Sequence, residues 1–306
     1  MIITDQVFGH YAFCSYKALL KMNGKTGQIS DYEKFQAQKE ADFKRRAIRN
    51  LVQKYGATNF SGWENKADLV SHVESIIIGF RADFKDMMVE IDALQVSQKN
   101  FYSPSPIMVT YKNKIGKQEK LLVTFVTYVL ANFLKQPITT AKFYHGEPPR
   151  FTKVSLEKYR TKVRSLLSEI RLLSKKEKAP KLQLNDNCSI CEFRKECLEE
   201  ATEKDDLSLL RGMRQKQIQT QNKKGIFTVT QYSYTFRPRR VKTPESITTG
   251  RYHALQALAI REQRVFIHQS PEIPSAKTKI YMDIETDPDR DFIYLIGLVA
   301  EDENGE

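Results

Sequence analysis

No apolar run in this chain is long enough to cross a bilayer. The longest, LLVTFVTYVLANFL at residues 121–134, lies between Lys120 and Lys135 and falls short of the roughly 20 residues a spanning helix needs. It is expected as a buried core helix. A GxxxxGK[ST] phosphate loop is missing from these 306 residues, so ATP-driven translocation would have to come from elsewhere. The first residues, MIITDQVFGH, offer neither a basic start nor an apolar signal core, and a reducing, cytoplasmic location is the expectation that follows. Acid is scarce in one region: residues 207–251 carry ten Lys or Arg against a single Glu245. Cysteine is scarce throughout, with only four.

What is present describes an ordinary globular chain. At 306 residues, 41% hydrophobic and 28% charged, it has room for two domains. Its net charge of +12 and isoelectric point near 9.3 call for an anionic partner, of which nucleic acid is the first expectation. Residues 31–55 read as an amphipathic helix with Tyr32, Phe35, Phe43, Ile48 and Leu51 inward and Gly56 as its stop. A second helix from Ser155 aligns Leu156, Tyr159, Val163, Leu166, Ile170 and Leu173, with a basic opposite face. MMVEIDAL and PIMVTYK have the β-branched character of strands, and GEPPRFTKV reads as a turn leading into another.

The cysteines fall into one lone residue and one cluster: Cys14, then Cys188, Cys191 and Cys197 in NCSICEFRKEC. Their spacing lets the three downstream thiolates converge, and Cys14 is the one cysteine left as a fourth ligand. Soft sulfur donors suit zinc or an iron-sulfur cluster. Four buried thiols are the plain alternative, opposed by the polar neighbours Asn187, Glu192, Arg194, Lys195 and Glu196.

A lone cysteine followed about 170 residues later by CxxCx5C resembles the arrangement in RecB-like nucleases that carry a 4Fe-4S cluster. That family includes the CRISPR-associated adaptation nuclease and the AddB helicase-nuclease subunit. The resemblance covers residues 1 to about 200. It implies a restriction-endonuclease-like (PD-(D/E)xK) α/β core closed by a structural four-cysteine cluster, with the chemistry lying between the cysteines. Zinc remains the alternative metal.

Nucleases of the PD-(D/E)xK group place an Asp at the end of one strand and Glu-x-Lys on the next, where the carboxylates bind magnesium or manganese and the metal activates water. Asp92 in VEIDAL matches the Asp and Lys112 in PIMVTYK the Lys, but Thr110 stands at the Glu position. A hydroxyl is a poor substitute for a carboxylate in a magnesium site. Glu119 on the following helix is a candidate migrated carboxylate, Glu40 on the first long helix an upstream acidic ligand, and His72 a competing histidine ligand. A turn or cap role for Asp92 and a solvated helix start for Glu119 are the structural alternatives. A fold kept for binding after losing its chemistry would retain the cysteines and basic surface and lose the Glu.

Downstream, DLSLLRGMRQKQIQTQNKKGIFTVTQYSYTF resembles a helix-hairpin-helix element with turns at Gly212 and Gly225. Such turns bring backbone N–H groups to phosphate oxygens. Lys223, Lys224, Arg237, Arg239 and Arg240 would add charge without reading sequence. A basic interdomain linker is the competing description, since Arg214 replaces the usual second hairpin glycine.

The run IYMDIETDPDRDFIYLIGLVA puts Tyr281, Asp283 and Glu285 on one strand face. This resembles the first motif of the DEDD exonucleases of the RNase H-like fold, where Asp-x-Glu binds two metals. Asp287, Asp289 and Asp291 are expected in a solvated turn. The remaining ligands of such a domain would lie beyond Glu306, so it is expected to be incomplete here. The resulting organisation is a RecB-like domain at 1–200, a basic connector at 201–250 and the start of an RNase H-like domain at 251–306. That order resembles bacterial RecB-like proteins fused to an RNase H-like domain. Two functions follow as expectations: a Mg/Mn-dependent DNA nuclease, or a catalytically degenerate platform delivering nucleic acid to an exonuclease domain or a partner helicase. A zinc-stabilised interaction scaffold is the third.

Overall fold

Residues 74–84, 87–97, 105–110, 140–145 and 150–155 form strands, and the apolar helix at 117–134 and the amphipathic helix at 157–174 pack against them. The computed structural model describes residues 1–55, 57–58, 74–97, 104–175, 179–237, 249–267, 275–287 and 292–302. The chain divides into two compact units, the first comprising residues 1–23, 31–179 and 277–306 and the second residues 24–30 and 180–276.

The first unit is a mixed sheet with helices on it. Its elements are β1 (Ile3–Thr4), α1 (Asp5–Phe13), α2 (Ser15–Met22), α3 (Asp31–Tyr55), β2 (Ala57–Thr58), β3 (Glu74–Phe84), β4 (Met87–Ser97), β5 (Ser105–Thr110), α4 (Lys117–Leu134), β6 (Thr140–His145), β7 (Arg150–Ser155) and α5 (Glu157–Ser174). Strand order is β2-β3-β4-β5-β6-β7, with β1 running parallel to β4. The middle strands form an antiparallel meander, β3 with β4 and β4 with β5; α4 then crosses over to β6, which lies parallel to β5. Phe8 of α1 stacks on Phe125 of α4 with ring centroids 4.4 Å apart, in a core shared with Val163 and Ile170 of α5. A separate cluster joins Phe43, Ala47 and Leu51 of α3 to Ile76, Ala93, Ile107 and Val109 of the sheet. The chain is thus mixed α/β.

Pairing between β3 and β4 is interrupted at one place. It runs from Glu74↔Ser97 to Ile78↔Ala93 and resumes at Phe80↔Ile91, skipping Gly79 and Asp92. Gly79 has φ +64°, a left-handed conformation that a side chain would strain. Side-chain alternation slips there as well: Val89 and Ile91 join the α4 core, but beyond Asp92 it is Leu94 that does so, and Ala93 faces α3.

The second unit is helical, with α6 (Arg194–Glu203), α7 (Gln215–Asn222), α8 (Val229–Ser233), α9 (Thr249–Glu262) and short 3-10 turns at Asp186–Ile190 and Leu207–Leu209. Leu207, Leu210, Met213, Val229, Tyr232, Ala254 and Ala257 form its core. Strands β8 (Lys279–Asp287) and β9 (Phe292–Glu301) belong to the first unit and make a two-stranded ribbon not hydrogen-bonded into its larger sheet. Ile280, Met282, Leu295, Leu298 and Val299 all stand exposed on it.

Some sequence expectations need correction. Tyr32 and Phe35 are 44% and 54% exposed, and Ala47 takes the inward place on α3, with Ile48 half-buried. Phe35 instead lies under the Lys39 ammonium, 4.5 Å from its ring centre. On α5, Leu167 joins the buried stripe and Tyr159 is only partly covered. Strand β5 ends at Thr110, leaving Lys112 just beyond it, and β3 and β6 add strands to those expected.

Candidate functional site

The β4–β5 ladder reaches only as far as Ala93↔Ile107, so beyond it β5 has no backbone acceptor from β4. The Asp92 carboxylate supplies one. The Val109 amide donates to Asp92 Oδ2 at 2.7 Å, and the Lys44 ammonium donates to Asp92 Oδ1 at 3.0 Å. Lys44 stands one helical turn after Glu40 on α3, so both side chains leave the same face. Glu40 Oε2 accepts from the Thr110 hydroxyl at 3.1 Å and from the Tyr111 amide at 3.2 Å. Glu40, Lys44, Asp92 and Thr110 therefore gather at the end of β5 as two hydrogen-bonded pairs, Lys44 with Asp92 and Thr110 with Glu40.

Lys112 and Glu119 meet beside it. The Lys112 ammonium donates to Glu119 Oε1 at 3.0 Å, and the Gly116 amide donates to Glu119 Oε2 at 3.0 Å, capping α4. Glu119, the candidate migrated carboxylate, is thus a helix cap and an ion-pair partner, and the alternative of a solvated helix start does not hold either. His145 holds Lys112 from below: its ring lies 3.0 Å from the Lys112 carbonyl through Nδ1 and 2.8 Å from Thr152 Oγ1 through Nε2. Only a donor can meet a carbonyl, so Nδ1 carries the proton and Nε2 accepts from the hydroxyl. Burial lowers the His145 pKa and keeps the ring neutral.

Burial is the largest influence on the Glu40 carboxyl and raises its pKa, against the Tyr111 amide, Lys44 and Thr110, which lower it. For Lys44, burial depresses the pKa, but Asp92, Glu40 and Asp5 together outweigh it and the net shift is upward. Asp5, at the start of α1, is itself raised by burial and senses Lys44. One ammonium therefore sits among three carboxylates. Lys44, Asp5 and His145 escaped the sequence reading; the i,i+4 spacing of Glu40 and Lys44 was the one available signal.

Magnesium or manganese needs open carboxylate oxygens at short range. Here both Asp92 oxygens and Glu40 Oε2 accept internal hydrogen bonds, a threonine occupies the third position, and Glu119 is engaged elsewhere. Among the described residues no group of three or more His, Cys, Asp or Glu could hold a metal ion. The donor set does not fit a nuclease metal pair. His72 lies outside the described residues.

The cysteines occupy defined turns. Cys14 is the N-cap of α2, its sulfur accepting from the Lys17 amide at 3.5 Å. Cys188 lies in the 3-10 turn, its sulfur accepting from the Asn185 amide at 3.3 Å; Cys191 ends that turn and Cys197 is buried on α6. Amide donors to sulfur suit thiolate ligands. None of the four forms a disulfide, and no four-cysteine centre is assembled among the described residues. Residues 24–30 pass against the cysteine turn, with the Gln28 amide donating to the Glu192 carbonyl at 2.9 Å. A Cβ at Gly27 would lie 2.5 Å from that carbonyl oxygen, so only glycine fits there.

In the connector, Gly212 and Gly225 both adopt φ +81°. The Ile226 amide donates to the Gln221 carbonyl as α7 ends, leaving Lys223 and Lys224 exposed beside the turn. Arg237 is exposed as well; Arg239 and Arg240 lie outside the described residues. Asp283 and Glu285 are exposed on β8, with Asp283 opposite Gly297 and Glu285 opposite Leu295. Asp287 closes β8 and pairs with Lys39 at 3.2 Å, so it is not the solvated turn residue expected. Asp289 and Asp291 fall outside the described residues. No family model matches this chain, and no curated protein matches it.

Proposed function

We propose that this protein binds nucleic acid on a RecB-like platform whose nuclease-type pocket no longer works as a metal site. The observation that carries the reading is the hydrogen bond from Thr110 to Glu40: where the motif calls for a second metal-binding carboxylate, a hydroxyl instead occupies the first. The +12 net charge and the exposed Lys223, Lys224 and Arg237 support an anionic partner bound without base reading. DNA is the first candidate, delivered to an exonuclease domain or a helicase. In this reading the four cysteines hold a structural 4Fe-4S cluster.

The second reading, a Mg/Mn-dependent DNA nuclease, draws support from the strand–helix order β3-β4-β5-α4-β6, with Asp92 on β4 and Lys112 just past β5. One experiment separates them. Protein purified without oxygen is titrated into labelled single-stranded and duplex DNA over a range of salt, then incubated with magnesium or manganese. Salt-sensitive binding of unrelated sequences without cleavage is expected. Affinity that ignores salt would refute the binding reading, and manganese-dependent cleavage abolished by Asp92→Ala would establish the nuclease.

A further inference from the structure

We infer that Lys44 is a built-in cation which takes the place of a divalent metal in the Glu40–Asp92 pocket. This deepens the platform reading and rests on it. The Lys44 ammonium lies 3.0 Å from Asp92 Oδ1, and α3 delivers it from the same face as Glu40. An ammonium is a compact charge with three donors, able to satisfy carboxylates as a metal does but without open coordination positions. A divalent ion on the same carboxylate oxygen would repel it, and the other Asp92 oxygen already serves the Val109 amide. The carboxylates that influence Lys44 come from three elements: Asp92 on β4, Glu40 on α3 and Asp5 on α1. With Asp92 only 16% exposed, the pocket needs a resident positive charge, and Lys44 provides it permanently.

The inference makes Lys44 a positioning residue that fixes the pocket in a metal-free state. The test follows manganese by its free-ion paramagnetic resonance signal, with added metal-dependent shifts in melting temperature, on the full chain. Wild type and Lys44→Arg are expected to leave manganese free, whereas Lys44→Gln should take up one ion per chain at least about tenfold more tightly. Lys44→Gln/Asp92→Asn should lose that uptake. Wild-type uptake that disappears in Asp92→Asn overturns the inference, as does a folded Lys44→Gln protein that leaves all manganese free. If Lys44→Gln does not fold, the comparison of wild type with Asp92→Asn decides alone: no wild-type uptake sustains the inference. DNA binding measured on the same proteins without metal keeps the two readings apart. Loss of salt dependence there defeats the platform, while an adverse manganese result with salt-dependent binding intact defeats only the role of Lys44.

Discussion

Replacing Asp92 by alanine tests whether this carboxylate holds the fold rather than a metal. The substitution strands the Val109 amide, which has no β4 carbonyl to turn to because the ladder ends at Ala93↔Ile107. An orphaned buried donor costs about 1–3 kcal/mol. It also removes the Lys44 ion pair; with Lys44 36% exposed, that adds only about 0–1 kcal/mol. The sum, about 2.5 kcal/mol at the centre of the range, corresponds to a fall of roughly 5–10 °C in melting temperature for a unit of this size. Asp92→Asn keeps an amide oxygen for Val109 and should lose only about 1 kcal/mol, the charge contribution. Both variants are compared with wild type by calorimetry and urea unfolding in metal-free buffer. An Asp92→Ala protein within about 0.5 kcal/mol of wild type would refute a structural role for Asp92. Equal losses in the two variants would show that charge, not the acceptor for Val109, is what matters.

Thr110 is 8% exposed beside Glu40, so Thr110→Glu is expected to destabilise metal-free protein by about 2–4 kcal/mol through a second buried carboxylate, read from urea melts. The raised Glu40 pKa means that the native state keeps a proton the unfolded chain has lost, so stability from this group is greatest below the unfolded value of 4.5 and falls as pH rises through the folded one. Glu40→Gln, which preserves the acceptor for Thr110 and Tyr111, should flatten that slope in unfolding curves taken from pH 4 to 7. Changing Lys223, Lys224 and Arg237 together to alanine should reduce the salt slope of DNA binding by roughly 0.9 for each phosphate that is no longer neutralised. If the four cysteines hold a cluster, anaerobic protein should be brown, and Cys197→Ala should lose both the colour and several kcal/mol of stability on the order of that from a cross-link spanning such a loop; zinc without iron or sulfide would refute the cluster.

The helices were the readable part of this fold. The polar-apolar rhythm of residues 31–55 delimits α3, and the uncharged run at 121–134 marks α4, because burial on one side or all round leaves a direct trace in composition. Tyr32 and Phe35 mislead for a physical reason: helical spacing says which face a residue shares, not whether anything covers that part of the helix. The packed segment of α3 begins only at Phe43. Strand β3 is hard to read because Gly79, Arg81 and Asp83 interrupt its apolar pattern, and the break at Gly79 shifts the alternation partway along. β6 has six residues and only Ala141, Phe143 and His145 buried, too short a pattern to stand out.

The site divides along a similar line. Asp92 and Lys112 could be found by their places near strand ends, and Thr110 by the gap it leaves in the motif. Lys44 and His145 could not, because their partners arrive only when α3 packs on the sheet and β6 pairs with β5. The two motif positions also differ in what folding asks of them. Asp92 completes the hydrogen bonding of a broken ladder, a task that needs an acceptor whether or not metal ever binds. At position 110 the Glu40 carboxylate needs only a donor, and a threonine hydroxyl supplies one where a second carboxylate would repel it. A chain that had ceased to use metal would therefore lose the Glu readily and keep the Asp, so the surviving Asp92 is weak evidence for catalysis and Thr110 is the more informative residue.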